Sequence, residues 1–228
     1  MPDSRPWLIA VSAPREVRAA LDALAPHAEM PPVWGIVRVD GGVIVRCGVG
    51  KASAAGAVAR WYDPGTHAGV LNVGVAGTLP GTDLPVGSVV LADPSVFADE
   101  GVRTPGGFLG LDRIGFGEDA PATPPDPASR AALVPLVDRV GPVATVSACS
   151  GADDAALGVA ARTGGIAEAM EGAACGLVAR RLSPQARFAE LRVISNRTGD
   201  RERQGWDLDG ALRRLTGVLG PALRALRG

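Results

Sequence analysis

Histidine, cysteine and lysine are all scarce in this chain, and each shortage removes a class of chemistry. Only two histidines occur, His27 and His67. Both lie in loops flanked by proline or glycine without a second ligand nearby, so neither a metal site nor a histidine-based triad is expected. The three cysteines, Cys47, Cys149 and Cys175, are odd in number, far apart and free of any Cys-x-x-Cys spacing. That usage points to free thiols and a cytoplasmic protein. Cys149 has no histidine partner within reach by sequence and reads as a packed thiol rather than a nucleophile. Lys51 is the single lysine among 23 basic residues, a bias of composition. With 24 acidic residues the formal net charge is −1, and no basic patch marks nucleic acid as a partner. No apolar run approaches the roughly 20 residues of a membrane span. Residues 1–6 lack the basic start and apolar run of a signal peptide. Carboxylates, amides and backbone are left to carry whatever chemistry occurs, with no metal or cofactor expected.

What is present alternates between short apolar runs and helical spacing. At 228 residues the chain is long enough for one domain, taken as 1–228, with a substantial core. Residues 7–11 read as a first strand, and 15–24 as a helix with Val17, Leu21 and Leu24 on one side. Residues 35–49 read as a hairpin around Asp40-Gly41-Gly42. It delivers Gly48-Val49-Gly50-Lys51 to an alanine-rich helix. This glycine turn fits neither a P-loop nor a dinucleotide fingerprint, since Ser53 stands where the latter needs its third glycine. Residues 69–73 form a buried strand that enters a glycine-spaced turn at 74–79, where Val75 and Gly77 bring backbone close to a ligand. A turn and strand follow at 84–93. Residues 103–128, rich in Gly, Pro and Thr with isolated Phe108 and Phe116, read as a functional or interface loop. A helix at 129–139, a strand at 143–147 and a helix at 155–161 come next. The chain closes with an amphipathic helix over 208–226, with Leu212, Leu215, Leu219 and Leu223 facing the core. The alternation gives an α/β fold with a mainly parallel sheet.

Three polar residues stand where strands end. Glu16 falls in the first turn of the helix after the first strand. Glu171 begins a helix whose Ala173, Ala174, Leu177 and Val178 share a face, and unpaired N–H groups favour an acid there. Asn196 opens the polar loop 196–201 after the buried run 191–195. Ligands of α/β proteins sit at such strand exits, so the two acids and the amide are expected to face one crevice.

With these pieces in order, the chain resembles the nucleoside phosphorylase and nucleosidase superfamily. The matching stretches are Gly48-Val49-Gly50-Lys51, Asn72-Val73-Gly74-Val75-Ala76-Gly77, Val86-Gly87-Ser88-Val89-Val90, Ala169-Met170-Glu171-Gly172-Ala173-Ala174 and Arg192-Val193-Ile194-Ser195-Asn196. They run in family order over nearly the whole chain. Within that superfamily, Ala98-Asp99-Glu100-Gly101 with Gly107-Phe108-Leu109, and the segment 194–201, resemble the futalosine hydrolases. Those enzymes remove hypoxanthine from futalosine in an alternative route to menaquinone. The resemblance implies a three-layer fold with a central mixed, mainly parallel twisted sheet flanked by helices. It also implies a purine nucleoside substrate and a homo-oligomer, with no membrane partner. By the same resemblance Glu16 holds or activates the attacking water, Glu171 binds a ribose hydroxyl, Met170 packs under the ribose and Asn196 meets the base. Val75, Gly77, Phe108, Arg197 and Asp200 are the further substrate-binding candidates. Arg103, Arg113, Arg201 and Arg203 are candidates for the substrate's aromatic carboxylate, and the sequence does not choose among them.

Two departures from the superfamily's pattern carry information. Adenine-cleaving relatives usually have aspartate where this chain has Asn196. A carboxamide donates to O6 or N7 of a 6-oxopurine but cannot act as an acid, which favours hypoxanthine over adenine. It leaves open what protonates the leaving base, with Asp200 near in sequence. Phosphorylases place an arginine and a serine in the segment where this chain has Asn72 and Val75. Neither substitute holds an oxyanion as those groups do, so water is the expected nucleophile. The competing readings are a methylthioadenosine/S-adenosylhomocysteine or aminodeoxyfutalosine nucleosidase, a purine nucleoside phosphorylase, and a nucleoside-binding protein without turnover. The pair Glu16 and Glu171 disfavours the last, because binding alone needs no acid on the water side.

Overall fold

In β1, Trp7–Val11, all five residues are buried because its two faces serve two different cores. Trp7, Ile9 and Val11 point into one cluster, and Leu8 and Ala10 into another. A strand covered on both sides must read as a continuous apolar run, and this one does. The computed structural model describes residues 4–116 and 122–228.

The chain continues through α1 (Pro14–Leu24) into the antiparallel hairpin of β2 (Ile36–Val39) and β3 (Gly42–Arg46). Helix α2 (Lys51–Trp61) leads to β4 (Gly69–Thr78) and then β5 (Val89–Phe97). Strands β6 (Gly101–Thr104) and β7 (Gly107–Gly110) pair with each other as a separate two-stranded sheet, and β8 (Ala122–Thr123) joins β5. Next come α3 (Pro127–Leu133), β9 (Arg139–Thr145), α4 (Asp153–Thr163), β10 (Ala167–Ala169), α5 (Gly172–Leu182), β11 (Arg187–Arg197) and α6 (Leu208–Arg227).

The main sheet has the order β10-β9-β5-β11-β4-β1-β3-β2. Parallel pairings join β1 to β3 and β4, β4 to β11, and β9 to β5 and β10. Strand β5 runs against β11, so the sheet is mixed. β10 also pairs antiparallel with β4, which closes β10, β9, β5, β11 and β4 into a ring. Small apolar side chains, among them Ala76, Ala92, Ala167 and Ala169, pack together with Val90 and Ile194 in this part. Helices α1 and α6 cover one face, with Leu212, Leu215, Leu219 and Leu223 buried as their spacing requires. Helices α2 and α5 lie on the other, where Ala54, Ala57, Cys175 and Ala179 allow close approach. None of the described helices is long and apolar enough to cross a membrane.

Four expectations need correction. No turn follows residue 73; β4 runs on to Thr78, because β11 pairs with it over residues 74–78, β10 pairs with Gly77 and Thr78, and Ala76 is buried. Its glycines serve neighbouring side chains instead. A Cβ at Gly74 would collide with the Arg192 guanidinium and the Glu16 carboxylate. Nor does β11 stop at residue 195; a register shift between Ile194 and Asn196 lets it continue, so Asn196 is a strand residue. The segment 103–128 contains β7, a 3-10 turn at Leu111–Ile114 and β8, while residues 117–121 of that expected loop lie outside the described residues. Finally, the helix expected over 129–139 ends at Leu133, followed by a 3-10 turn at Val134–Leu136, and β9 already begins at Arg139.

Candidate active site

Two residues separate helix α1 from β1, and Pro14 stands in its first turn, where a missing N–H costs nothing. That brings Glu16 back over the strand ends. Its Oε2 accepts from the Ala13 N–H at 2.8 Å and its Oε1 from the Val75 N–H at 2.8 Å, so the carboxylate clamps α1 to β4. Glu16 is only 6% exposed. Burial, and after it the charge of Glu171, holds this carboxyl above the ordinary carboxylate range; Arg192 and the two N–H groups act against the rise.

Glu171 sits at the N-cap of α5 rather than inside its first turn. One oxygen accepts from the Gly50 N–H at 3.0 Å, across from the start of α2. The other faces Arg192 Nη2 at 3.4 Å. Arg192 is 1% exposed and is the fixed charge beneath the site. Its Nε donates to Glu190 at 2.7 Å and its Nη2 to Asn72 Oδ1, while Asn72 Nδ2 donates to the Ala10 carbonyl at 2.9 Å. Burial works against the guanidinium charge, but Glu190, Glu171 and Glu16 outweigh it and hold Arg192 above its ordinary range. Glu190 also accepts from Ser95 Oγ. A cation in contact with two buried acids satisfies groups that would otherwise be stranded from water.

The amide end is also tied down. Asn196 Oδ1 accepts from Ser195 Oγ at 3.0 Å, and Asn196 Nδ2 donates to the Arg197 carbonyl at 3.1 Å and to Gln204 Oε1 at 3.4 Å. Gln204 Nε2 in turn donates to the carbonyls of Ser150 and Gly199.

Glu16, Glu171 and Asn196 line one cavity of about 390 Å³, together with Met170, Val75 and Gly77. The other sequence candidates lie elsewhere. Phe108 borders a neighbouring cavity and stacks with Arg162 at 5.1 Å. Arg197 is exposed and does not line the central cavity. Asp200 is outside it too, accepting from the Glu202 N–H at 3.0 Å and from Arg203 Nε at 2.7 Å. Those contacts, the Glu202 N–H first, keep its carboxyl below the ordinary range, which is the wrong direction for a proton donor. Of the four arginines considered for a carboxylate, only Arg201 reaches the central cavity, with its guanidinium 4.9 Å from the Trp206 ring. Arg103 borders the neighbouring cavity. Cys149 is an exposed residue of the cavity rim, not a packed thiol. Its thiol is pushed up to about 11 by desolvation and then by Glu168 and Glu171, so it stays protonated near neutrality.

Sequence reasoning passed over Arg192, Glu190, Glu168 and Gln204 as participants. One signal was available for the first two. Charges at positions 190 and 192 alternate within an apolar strand, and strand interiors keep charge only when it is paired.

A family model described as the phosphorylase superfamily matches residues 17–224. The chain belongs to the phosphorylase superfamily. A futalosine hydrolase of Acidothermus cellulolyticus is 38% identical over 151 residues, covering 63% of this chain and 57% of the relative. The chain thus spans a little over half of that relative's length. A futalosine hydrolase of Streptomyces coelicolor is 36% identical over 79% of this chain and 78% of its own. Among solved structures, a 5'-methylthioadenosine/S-adenosylhomocysteine nucleosidase from Colwellia psychrerythraea, in complex with adenine, superposes with a TM-score of 0.79. It is 22% identical, over 100% of this chain and 98% of that one, and shows the shared fold. In the present chain Asn72 is used up inside the Arg192 network, and Val75, a residue of the cavity lining, gives its N–H to Glu16.

Proposed function

We propose that this protein hydrolyses the N-glycosidic bond of futalosine and releases hypoxanthine, a step of the futalosine route to menaquinone. One observation carries the chemistry: Glu16, Glu171, Met170 and Asn196 open onto one cavity. The similarity to futalosine hydrolases supports the choice of substrate.

In this reading water lies against Glu16. The water oxygen forms a bond to the anomeric carbon as the carbon–nitrogen bond breaks, and Glu16 takes the water proton. A carboxyl held above the ordinary range suits a base that must accept a proton near neutrality. Glu171 binds a ribose hydroxyl, and its charge faces the positive character that builds on the sugar. The Gly50 N–H and Arg192 hold the Glu171 carboxylate in place. Met170 packs against the sugar. The Asn196 amide exchanges its 3.4 Å bond to Gln204 for one to N7 or O6 and draws charge into the departing base, which takes a proton from solvent on nitrogen.

Purified protein in phosphate-free buffer is expected to release hypoxanthine from futalosine and no comparable amount of adenine from methylthioadenosine. Identification of the bases by chromatography checks it. Faster adenine release, or a requirement for phosphate, would contradict the reading.

A further inference from the structure

The cavity holds a third buried acid to which the reaction above gives no task. Glu168, on β10, is 4% exposed and lines the cavity with Asn196. Its backbone is the register partner of Gly77 on one side of β4, and Asn196 is the partner of the same Gly77 on the other. Residues directly opposite in a sheet project to the same face, and neighbouring strands lie about 4.8 Å apart. A carboxylate and a carboxamide therefore stand in one row across three strands, their backbones about 10 Å apart.

The contacts of Glu168 leave it capacity. Ser150 N–H donates to Oε1 at 2.7 Å and Ser150 Oγ donates to Oε2 at 2.6 Å. Each carboxylate oxygen keeps a second acceptor site. Ser150 is locked from behind, since Gln204 holds its carbonyl at 3.1 Å and also touches Asn196. One connected chain of hydrogen bonds thus runs from Glu168 to Asn196 around the end of the cavity.

A 6-oxopurine and a 6-aminopurine differ at the edge such a row would meet. Hypoxanthine carries a hydrogen on N1 beside O6, and adenine carries a lone pair on N1. A carboxylate accepts from the first and faces a lone pair in the second, leaving a buried acceptor without its donor. We propose that Glu168 is a specificity-determining residue that accepts the N1–H of a 6-oxopurine, while Asn196 donates to the O6 or N7 side. Burial alone holds Glu168 above its ordinary range and the Ser150 donors oppose this. A third donor from the ligand favours the ionised form further. The inference rests on the proposed reading that the base is hypoxanthine.

Two measurements test it. The first uses Glu168→Gln, which still offers an oxygen to Ser150 but presents an NH2 group to the base. The kcat/KM for futalosine should fall roughly 10- to 100-fold, the scale of one charge-assisted hydrogen bond. Relative turnover of the 6-amino analogue should rise, because its N1 then meets a donor. A role confined to holding Ser150 would weaken both substrates alike, and an unchanged ratio overturns the proposal. The second needs no variant. Unmodified protein should bind hypoxanthine roughly 10-fold or more tightly than 1-methylhypoxanthine, which has no N1–H, and equal affinity overturns the proposal. Failure of unmodified protein to cleave futalosine would remove the functional reading instead, and the base-affinity comparison would still report on Glu168.

Discussion

Two acids a short distance from the same arginine are held by different means, and the difference suits different tasks. Glu16 is gripped by two backbone N–H groups but stays buried beside another carboxylate, which pushes its proton affinity up. Glu171 is stapled between Gly50 and Arg192. The general base must be ionised to act, and its ionised fraction grows as pH rises through its pKa. A pKa above the ordinary 4.5 therefore places the acid limb of kcat/KM above that pH. A pH–rate profile on futalosine checks this, and a limb at or below 4.5 contradicts the assignment. Glu16, Glu171 and Asn196 were legible in the sequence because each stands at the end of an apolar run, where loops and ligands belong. Arg192 and Glu168 were not, because both lie inside strands rather than at their ends or in the middle of a polar loop. Their neighbours across the sheet decide that they face a cavity or a charge partner.

At the scale of elements, the acid-bearing start of α5 depends on a residue with no side chain. A Cβ at Gly172 would run into the buried Glu190 carboxylate, and Glu190 holds Arg192. Gly172→Ala is expected to destabilise the protein by about 1–3 kcal/mol through overpacking. Thermal unfolding should show a Tm lower by about 2–12 °C for a chain of this size. An unchanged Tm would show that Glu190 yields freely. Most elements followed from local pattern: the apolar run of β1, the 3.6-residue spacing of α1 and α6, and the hairpin of β2 and β3. The errors share a cause. The glycines of β4 suggest a turn when read alone, and only the approach of Arg192 and Glu16 explains them inside a strand. Asn196, at a bulge, looks like the first loop residue for the same reason.

For the whole molecule, the sequence gives layers but not closure. Alternation of strands and helices implies a covered sheet, whereas the second pairing of three-residue β10 with β4 depends on register across distant segments. That pairing sets Glu168 into the row with Gly77 and Asn196, so the global topology, and no local motif, completes the Asn196 end of the cavity. The central claim is that acids from distant segments divide the work, Glu16 on water and Glu171 on the sugar. Steady-state kinetics of Glu16→Gln on futalosine, run beside its affinity for hypoxanthine, tests it most directly. The account predicts a loss in kcat of roughly 10²–10⁴-fold with base affinity changed by no more than about twofold. An undiminished kcat, or an equal loss in both quantities, would contradict it.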